Sequence, residues 1–243
     1  MENIPIKISG LSKTYNAKSK FPVKALKAVD LEISDNTVCG LIGPNGAGKT
    51  TLMKHILGFL KPDKGEVRIY GKSPDDLKTK SLIGYQADNQ FRSKSIKVFD
   101  FLLLQSSLAG FDNNDDQIRY YLESFHITGA AMKKLSDLSK GMRQKIELVS
   151  AFLGKPSLVI LDEPTAGLDP PSVFELRDFI EAKKQENVNV LFSSHNLTEV
   201  EKTCDRVIAI NNGTLTGDFN MKDTEPGFLE KVFTDRSTGE DIQ

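Results

Sequence analysis

The chain has 243 residues, of which 39% are hydrophobic and 27% charged, and its formal net charge is −1. That length and balance describe one substantial folded domain with room for a small inserted or appended unit. Near-neutral charge leaves no electrostatic footprint for nucleic acid, no apolar run approaches the ~18 residues a membrane span needs, and the start of the chain lacks the charged head and long apolar core of a signal peptide. The protein is therefore expected in the cytoplasm, with any membrane association coming through a partner. Cys39 and Cys204 form no metal-ligand cluster and are read as reduced thiols without an assigned function, Cys39 as small core packing. His55 and His126 are read as structural or exposed.

In chain order, strand-like apolar runs fall at residues 4–9 and 28–33, separated by a polar, lysine-bearing loop at 16–22. Further runs follow at 37–42, 65–70 and 81–86, and turn-like stretches such as Ser34-Asp35-Asn36 predict antiparallel hairpins among the early strands. Strand patterns then vanish between residues 95 and 154, where helical spacing appears near 97–108, 115–125 and 141–153. This stretch reads as a helical insertion between two strands of the main sheet. The later strands, at 158–162, 188–193, 206–210 and 214–217, alternate with helical segments as parallel α/β units do. The predicted division is a domain over 1–218, with the helical subdomain at about 88–154 inserted, and a short tail over 219–243. That tail is polar except for Phe228-Leu229-Glu230-Lys231-Val232-Phe233.

Three segments carry chemistry. Gly43-Pro44-Asn45-Gly46-Ala47-Gly48-Lys49-Thr50 has the phosphate-loop spacing, followed directly by Thr51. It lies between an apolar strand and a helix predicted over 51–60, with Leu52, Met53, Ile56, Leu57 and Leu60 at helical spacing. Glycines let backbone N–H groups wrap phosphates, and the helix N-terminus adds partial positive charge. Lys49 reaches β- and γ-phosphates, and the Thr50 hydroxyl can ligate magnesium. In the second segment, Leu158-Val159-Ile160-Leu161 is an apolar strand ending in Asp162 and Glu163. Asp162 suits magnesium, and Glu163 suits a general base for the attacking water. Alone, that pair is also an ordinary strand capped by charge. In the third, Ser139 and the backbone at Gly141 precede a long helix and can donate to an anion at its N-terminus. Alone, this is also a helix with a good cap.

Together, in this order and spacing, the chain resembles the nucleotide-binding subunit of ABC transporters over nearly its whole length. Residues 43–50 match the Walker A loop, Leu138-Ser139-Lys140-Gly141-Met142 resembles the signature motif, and residues 158–163 match the Walker B strand. Ala166-Gly167-Leu168-Asp169 matches the D-loop. His195 matches the switch histidine, and Tyr15 falls where the family places an aromatic ring against adenine. The resemblance implies an α/β fold: a P-loop ATPase core, with a mixed sheet and an antiparallel β subdomain, carrying an inserted α-helical subdomain. It implies ATP and Mg2+ as ligands. It also implies a second nucleotide-binding subunit, with a homodimer expected, and an integral membrane permease that holds the pair at the cytoplasmic face of the membrane. In that arrangement Ser139 and Gly141 face the other subunit's nucleotide, His195 meets the γ-phosphate, and Asp169 links the two sites.

The chain departs from the family pattern in two places. Lys140 stands where the family has glycine, and Met142 where it has glutamine; Lys140 either adds positive charge or points to solvent. At the Q-loop position stands Asp88, a candidate magnesium ligand, with Gln86 and Gln90 as rivals by a slip of register. The Lys-Gly-Met signature, the acidic Q-loop and the apolar tail resemble the export branch, which serves drug, lantibiotic, bacteriocin and sodium efflux. The helical insertion is expected to dock the permease through one or two exposed apolar residues between 91 and 99.

Overall fold

The computed structural model describes residues 4–86, 95–112 and 114–238, with side chains through residue 233. Strands β1 (Ile6–Tyr15), β2 (Val23–Ile33) and β4 (Lys64–Ile69) form an antiparallel three-stranded sheet in the order β2-β1-β4. The second sheet has six strands in the order β5-β6-β7-β3-β8-β9. Its members are β3 (Val38–Ile42), β5 (Ile83–Gln86), β6 (Leu158–Asp162), β7 (Asn189–Ser194), β8 (Arg206–Asn211) and β9 (Thr214–Asn220). Pairing is parallel throughout except for β9, which runs antiparallel to β8 at one edge. The central strands β6, β7 and β3 are buried almost throughout because both faces are covered.

Side chains alternate between two cores, as the strand period requires. Cys39 and Leu41 of β3 face a core shared with β1, β2, β4 and the first helix, α1 (Lys49–Ile56). Val38 and Ile42 face the opposite core, which a second set of helices covers. Those helices include α3 (Val98–Leu108), α4 (Asp115–Ser124) and α5 (Lys140–Phe152) of the insertion, and α6 (Pro170–Gln185) of the main body. Phe179 of α6 meets Tyr121, Phe125 and Phe152 at ring-centroid distances of 5.3, 4.8 and 4.9 Å. This aromatic cluster ties the insertion to the sheet. A short helix, α2 (Leu77–Lys80), precedes β5, and α7 (Leu197–Thr203) follows β7. No helix among the described residues is long and apolar enough to cross a membrane.

Several elements differ in extent from the sequence expectation. β1 and β2 are longer, because their ladder continues through register shifts that interrupt apolar alternation. The helix after the phosphate loop stops at Ile56, where Gly58 turns the chain at φ 70°. The division drawn at 218/219 falls inside β9. Beyond it, helix α8 (Phe228–Thr238) returns to the body: Leu229 is fully buried, and the Glu201 carboxylate accepts from the backbone N–H groups of Gly227 and Leu229. Ile96 and Phe99 pack partly buried against the core, whereas Leu104 and Leu108 of α3 are exposed; residues 91–94 lie outside the described residues.

Candidate functional site

The site is built around the start of α1. Its N-cap, Gly48, has φ 116°, and a Cβ there would stand 2.7 Å from the Ala25 carbonyl oxygen of β2. No side chain caps this helix and no acidic residue occupies its first turn. Its N–H groups and positive dipole end are therefore left available to an anion. They open on a cavity of about 710 Å3 that residues 45–51 share with Lys24, Lys27, Asp162 and Glu163. Lys49 is largely buried, and its Nζ donates to the carbonyl oxygens of Gly43 and Pro44 at 2.5 and 3.2 Å. Those bonds hold the ammonium over the mouth of the loop.

Across the cavity, β6 ends beside β7, with Asp162 in register with Ser193. The buried Ser193 hydroxyl donates to Asp162 Oδ1 at 2.6 Å and accepts from the Glu163 N–H at 3.1 Å. Ser193 thus holds the Asp162 carboxylate and the Glu163 backbone, a role sequence reading did not assign. The available signal was its place two residues before His195 on a strand that had to pair with Walker B. Gln144 of α5, also missed, donates to the carbonyl oxygens of Pro164 and Glu163 at 3.0 and 3.4 Å. Glu163 itself has φ 49°, a left-handed conformation uncommon for a side-chain-bearing residue. The turn carries its carboxylate off the strand, where Oε2 lies 2.9 Å from His195 Nδ1. The histidine is 74% exposed and Glu163 27%, so the pair sits at the rim.

Thr50 and Asp162 both face the cavity. No cluster of three His, Cys, Asp or Glu residues is present among the described residues. One carboxylate and one hydroxyl beside a phosphate cradle fit Mg2+, which keeps waters and takes its other ligands from phosphate. Tyr15 ends β1, and its hydroxyl lies 3.5 Å from Thr51 Oγ1, at the flank of α1. Of the Q-loop candidates, Asp88 and Gln90 lie outside the described residues. Gln86 is buried at the end of β5, and its Oε1 has no hydrogen-bond partner among the described residues.

The signature residues divide. Ser139 is the N-cap of α5 and accepts from the Met142 N–H at 3.2 Å. Ser139, Gly141 and Met142 line a second hollow, of about 540 Å3, together with Gly167 and Asp169. Lys140 instead lines the phosphate-loop cavity. Asp169 caps α6 by accepting from the Ser172 N–H at 3.2 Å, and its hydrogen bond with Ser172 holds its carboxyl below the usual range.

Comparison with known proteins agrees with this geometry. The family described as "ABC transporter" matches residues 26–166. The chain belongs to that family. It is 36% identical over 213 residues to the uncharacterized ABC transporter ATP-binding protein YhaQ of Bacillus subtilis, covering 87% of this chain and 71% of that protein. YdbJ of the same organism, named in the same terms, is 35% identical over 226 residues, covering 90% and 70%. A solved ATP-binding subunit of an ABC transporter superposes with a TM-score of 0.86 at 26% identity, covering 96% of this chain and 99% of that one. The protein is an ATP-binding subunit of an ABC transporter, from a family whose cassettes hydrolyse ATP.

Proposed function

We propose that this ABC subunit works in pairs, two copies closing head to tail over two ATP molecules, and that closure drives a separate membrane permease, in the export direction. The observation that carries this reading is the division of the site. Lys49, Glu163 and His195 share one cavity and its rim, while Ser139 and Gly141 line a different hollow. A second copy would bring its hollow over the first copy's cavity. The Leu138–Met142 signature and the apolar segment of α8 support the export direction by their likeness to that branch.

The chemistry follows from the residues. The α1 N–H groups and Lys49 neutralise the β- and γ-phosphates. Glu163 accepts a proton from water as the water oxygen bonds to the γ-phosphorus and the bond from that phosphorus to the bridging oxygen breaks, leaving ADP and inorganic phosphate. Ser193 fixes the Asp162 carboxylate and the Glu163 backbone, and His195 holds the Glu163 carboxylate and reaches the γ-phosphate. Magnesium, held by Thr50 and Asp162, would add charge neutralisation at the phosphates. ATP favours the closed pair through contacts that its terminal phosphate makes with both subunits, and hydrolysis removes that differential affinity.

Glu163→Gln tests this. It should keep ATP affinity, slow turnover roughly 100- to 10,000-fold, and move the chain from monomer to dimer on a sizing column in ATP. A variant that stays monomeric at saturating ATP would sink the paired reading, and undiminished turnover would place the base elsewhere. Co-purification of the wild type with a polytopic membrane protein tests the permease.

A further inference from the structure

We propose that Arg177 is a positioning residue for turnover: through its ion pair with Glu199 it fixes the first turn of α7, and with it the placement of His195 against Glu163. The proposal rests on the ATPase reading and extends it to a side chain of α6 that does not line the cavity at α1.

His195 is not held by packing. Its side chain is 74% exposed, and its Nδ1 meets the Glu163 carboxylate at 2.9 Å. The place of the ring is therefore inherited from its backbone, which joins β7 to α7. Two hydrogen bonds bracket that backbone. The Ser194 hydroxyl oxygen accepts from the Asn196 N–H at 3.0 Å. The Asn196 side chain, at the N-cap of α7, accepts from the Glu199 N–H at 3.2 Å. His195 thus lies where the first turn of α7 puts it, and Glu199 belongs to that turn.

α7 has seven residues. A helix so short is unstable by itself, so its position comes from contacts with its neighbours. Its inner face lies close on β3: a Cβ built on Gly40 would stand 2.8 Å from both Val200 Cγ1 and Cys204 Sγ. That contact sets the height of α7 over the sheet, and α6 clamps it at both ends. At the near end Arg177 Nη2 donates to Glu199 Oε2 at 3.0 Å, the side chains being 22% and 19% exposed. Just beyond the far end Lys184 Nζ donates to Asp205 Oδ1 at 2.7 Å, at comparable depth. Charge-assisted bonds at this depth are stronger than neutral ones and less screened than surface pairs. α8 adds a bond to Thr198 from Glu230, but that bond is exposed. The Arg177 guanidinium also lies 5.0 Å over the Phe174 ring, and its buried Nε has no hydrogen-bond partner among the described residues. Its polar grip on α7 is therefore the bond to Glu199.

The experiment compares the two clamps on the full chain. Arg177→Met and Glu199→Gln should each lower kcat about 10-fold with KM for MgATP unchanged, as a small misplacement at a reacting centre does. Glu199→Gln leaves the Arg177–Phe174 contact in place and so isolates the ion pair. The double variant should lose no more than either single, because both remove one interaction. Lys184→Met breaks the far clamp; it should lower Tm and leave kcat unchanged. The imidazole NMR spectrum supplies a second measurement, since the chain has three histidines and His195→Ala identifies the signals of one. Those signals should shift in Arg177→Met and Glu199→Gln and stay in place in Lys184→Met. Equal kcat losses at both clamps would overturn the proposal, as would multiplying losses in the double variant or unmoved His195 signals in a folded Glu199→Gln chain. A wild-type chain without ATP turnover would instead bring down the ATPase reading, and the NMR comparison would still judge the clamp.

Discussion

Two helices of this molecule begin at motifs suited to a phosphate, and they begin differently. α1 starts at a glycine, has no side-chain cap, and opens its first turn on the main cavity. α5 starts at Ser139, whose hydroxyl oxygen is already committed to the Met142 N–H. An uncapped N-terminus costs folding free energy unless an anion or water completes it, so α1 is shaped for a ligand. A capped one is satisfied within its own chain, so α5 folds correctly without a nucleotide. The contrast accounts for a division of labour. On the paired reading, the first helix would hold ATP within one subunit, and the capped start of the second would meet phosphate only when another subunit brings it.

The largest effect should come from the first helix. Lys49→Ala is expected to abolish ATP turnover, measured as phosphate release, with the fold intact by circular dichroism; undiminished turnover would remove α1 from the chemistry and end the contrast. Ser139→Ala sharpens it. Loss of the cap should cost about 1 kcal/mol of stability and leave ATP affinity of the monomer unchanged, while dimer turnover falls roughly 100-fold if the hydroxyl is a transition-state donor across the interface. A drop in monomer affinity would show that both helix starts serve one site.

The smallest effect concerns His55, which α1 carries and α5 has no counterpart for. The residue is buried, Nδ1 lies 2.7 Å from the Thr51 carbonyl oxygen, and Nε2 has no partner among the described residues. Burial pushes its pKa below the ordinary value of 6.5. The folded state therefore prefers the neutral ring, while the unfolded chain takes up a proton near the ordinary value. The stability this residue contributes is complete above pH 6.5 and is lost as pH falls from there toward the lower folded value. The Tm of the wild type should fall more steeply across that window than that of His55→Leu; parallel curves would show that other groups set the acid sensitivity.

Much of this was legible without coordinates. Gly48, Lys49 and Thr50 are adjacent in the chain, so local spacing alone specifies that they line one cavity at the start of α1. Asp162 and Glu163 end an apolar run that can only be a buried strand. Ser193 and Gln144 were not legible, because their contacts with the Walker B end depend on the register of β7 against β6 and on how α5 packs. The length of β1 was obscured by irregular pairing, which breaks the alternation that marks a strand. The docking of α8 was hidden for a similar reason: the apolar segment around Leu229 is short and ambiguous until α7 offers Glu201 to its backbone.

The sequence by itself determined the family, the order of the motifs and the uncapped loop-to-helix turn at α1, because contiguous glycines and a lysine at set spacing have one local solution. Only the tertiary structure decided which way each residue of 138–142 faces. Lys140 and its neighbours are separated by single steps around one helix, and no pattern of residue types reveals the rotation of that helix. The rotation follows from how α5 packs: Gln144 reaches the carbonyls after β6 and the stem of Lys140 lies on Gly167, with Lys140 lining the cavity at α1 and Ser139 and Gly141 lining the second hollow.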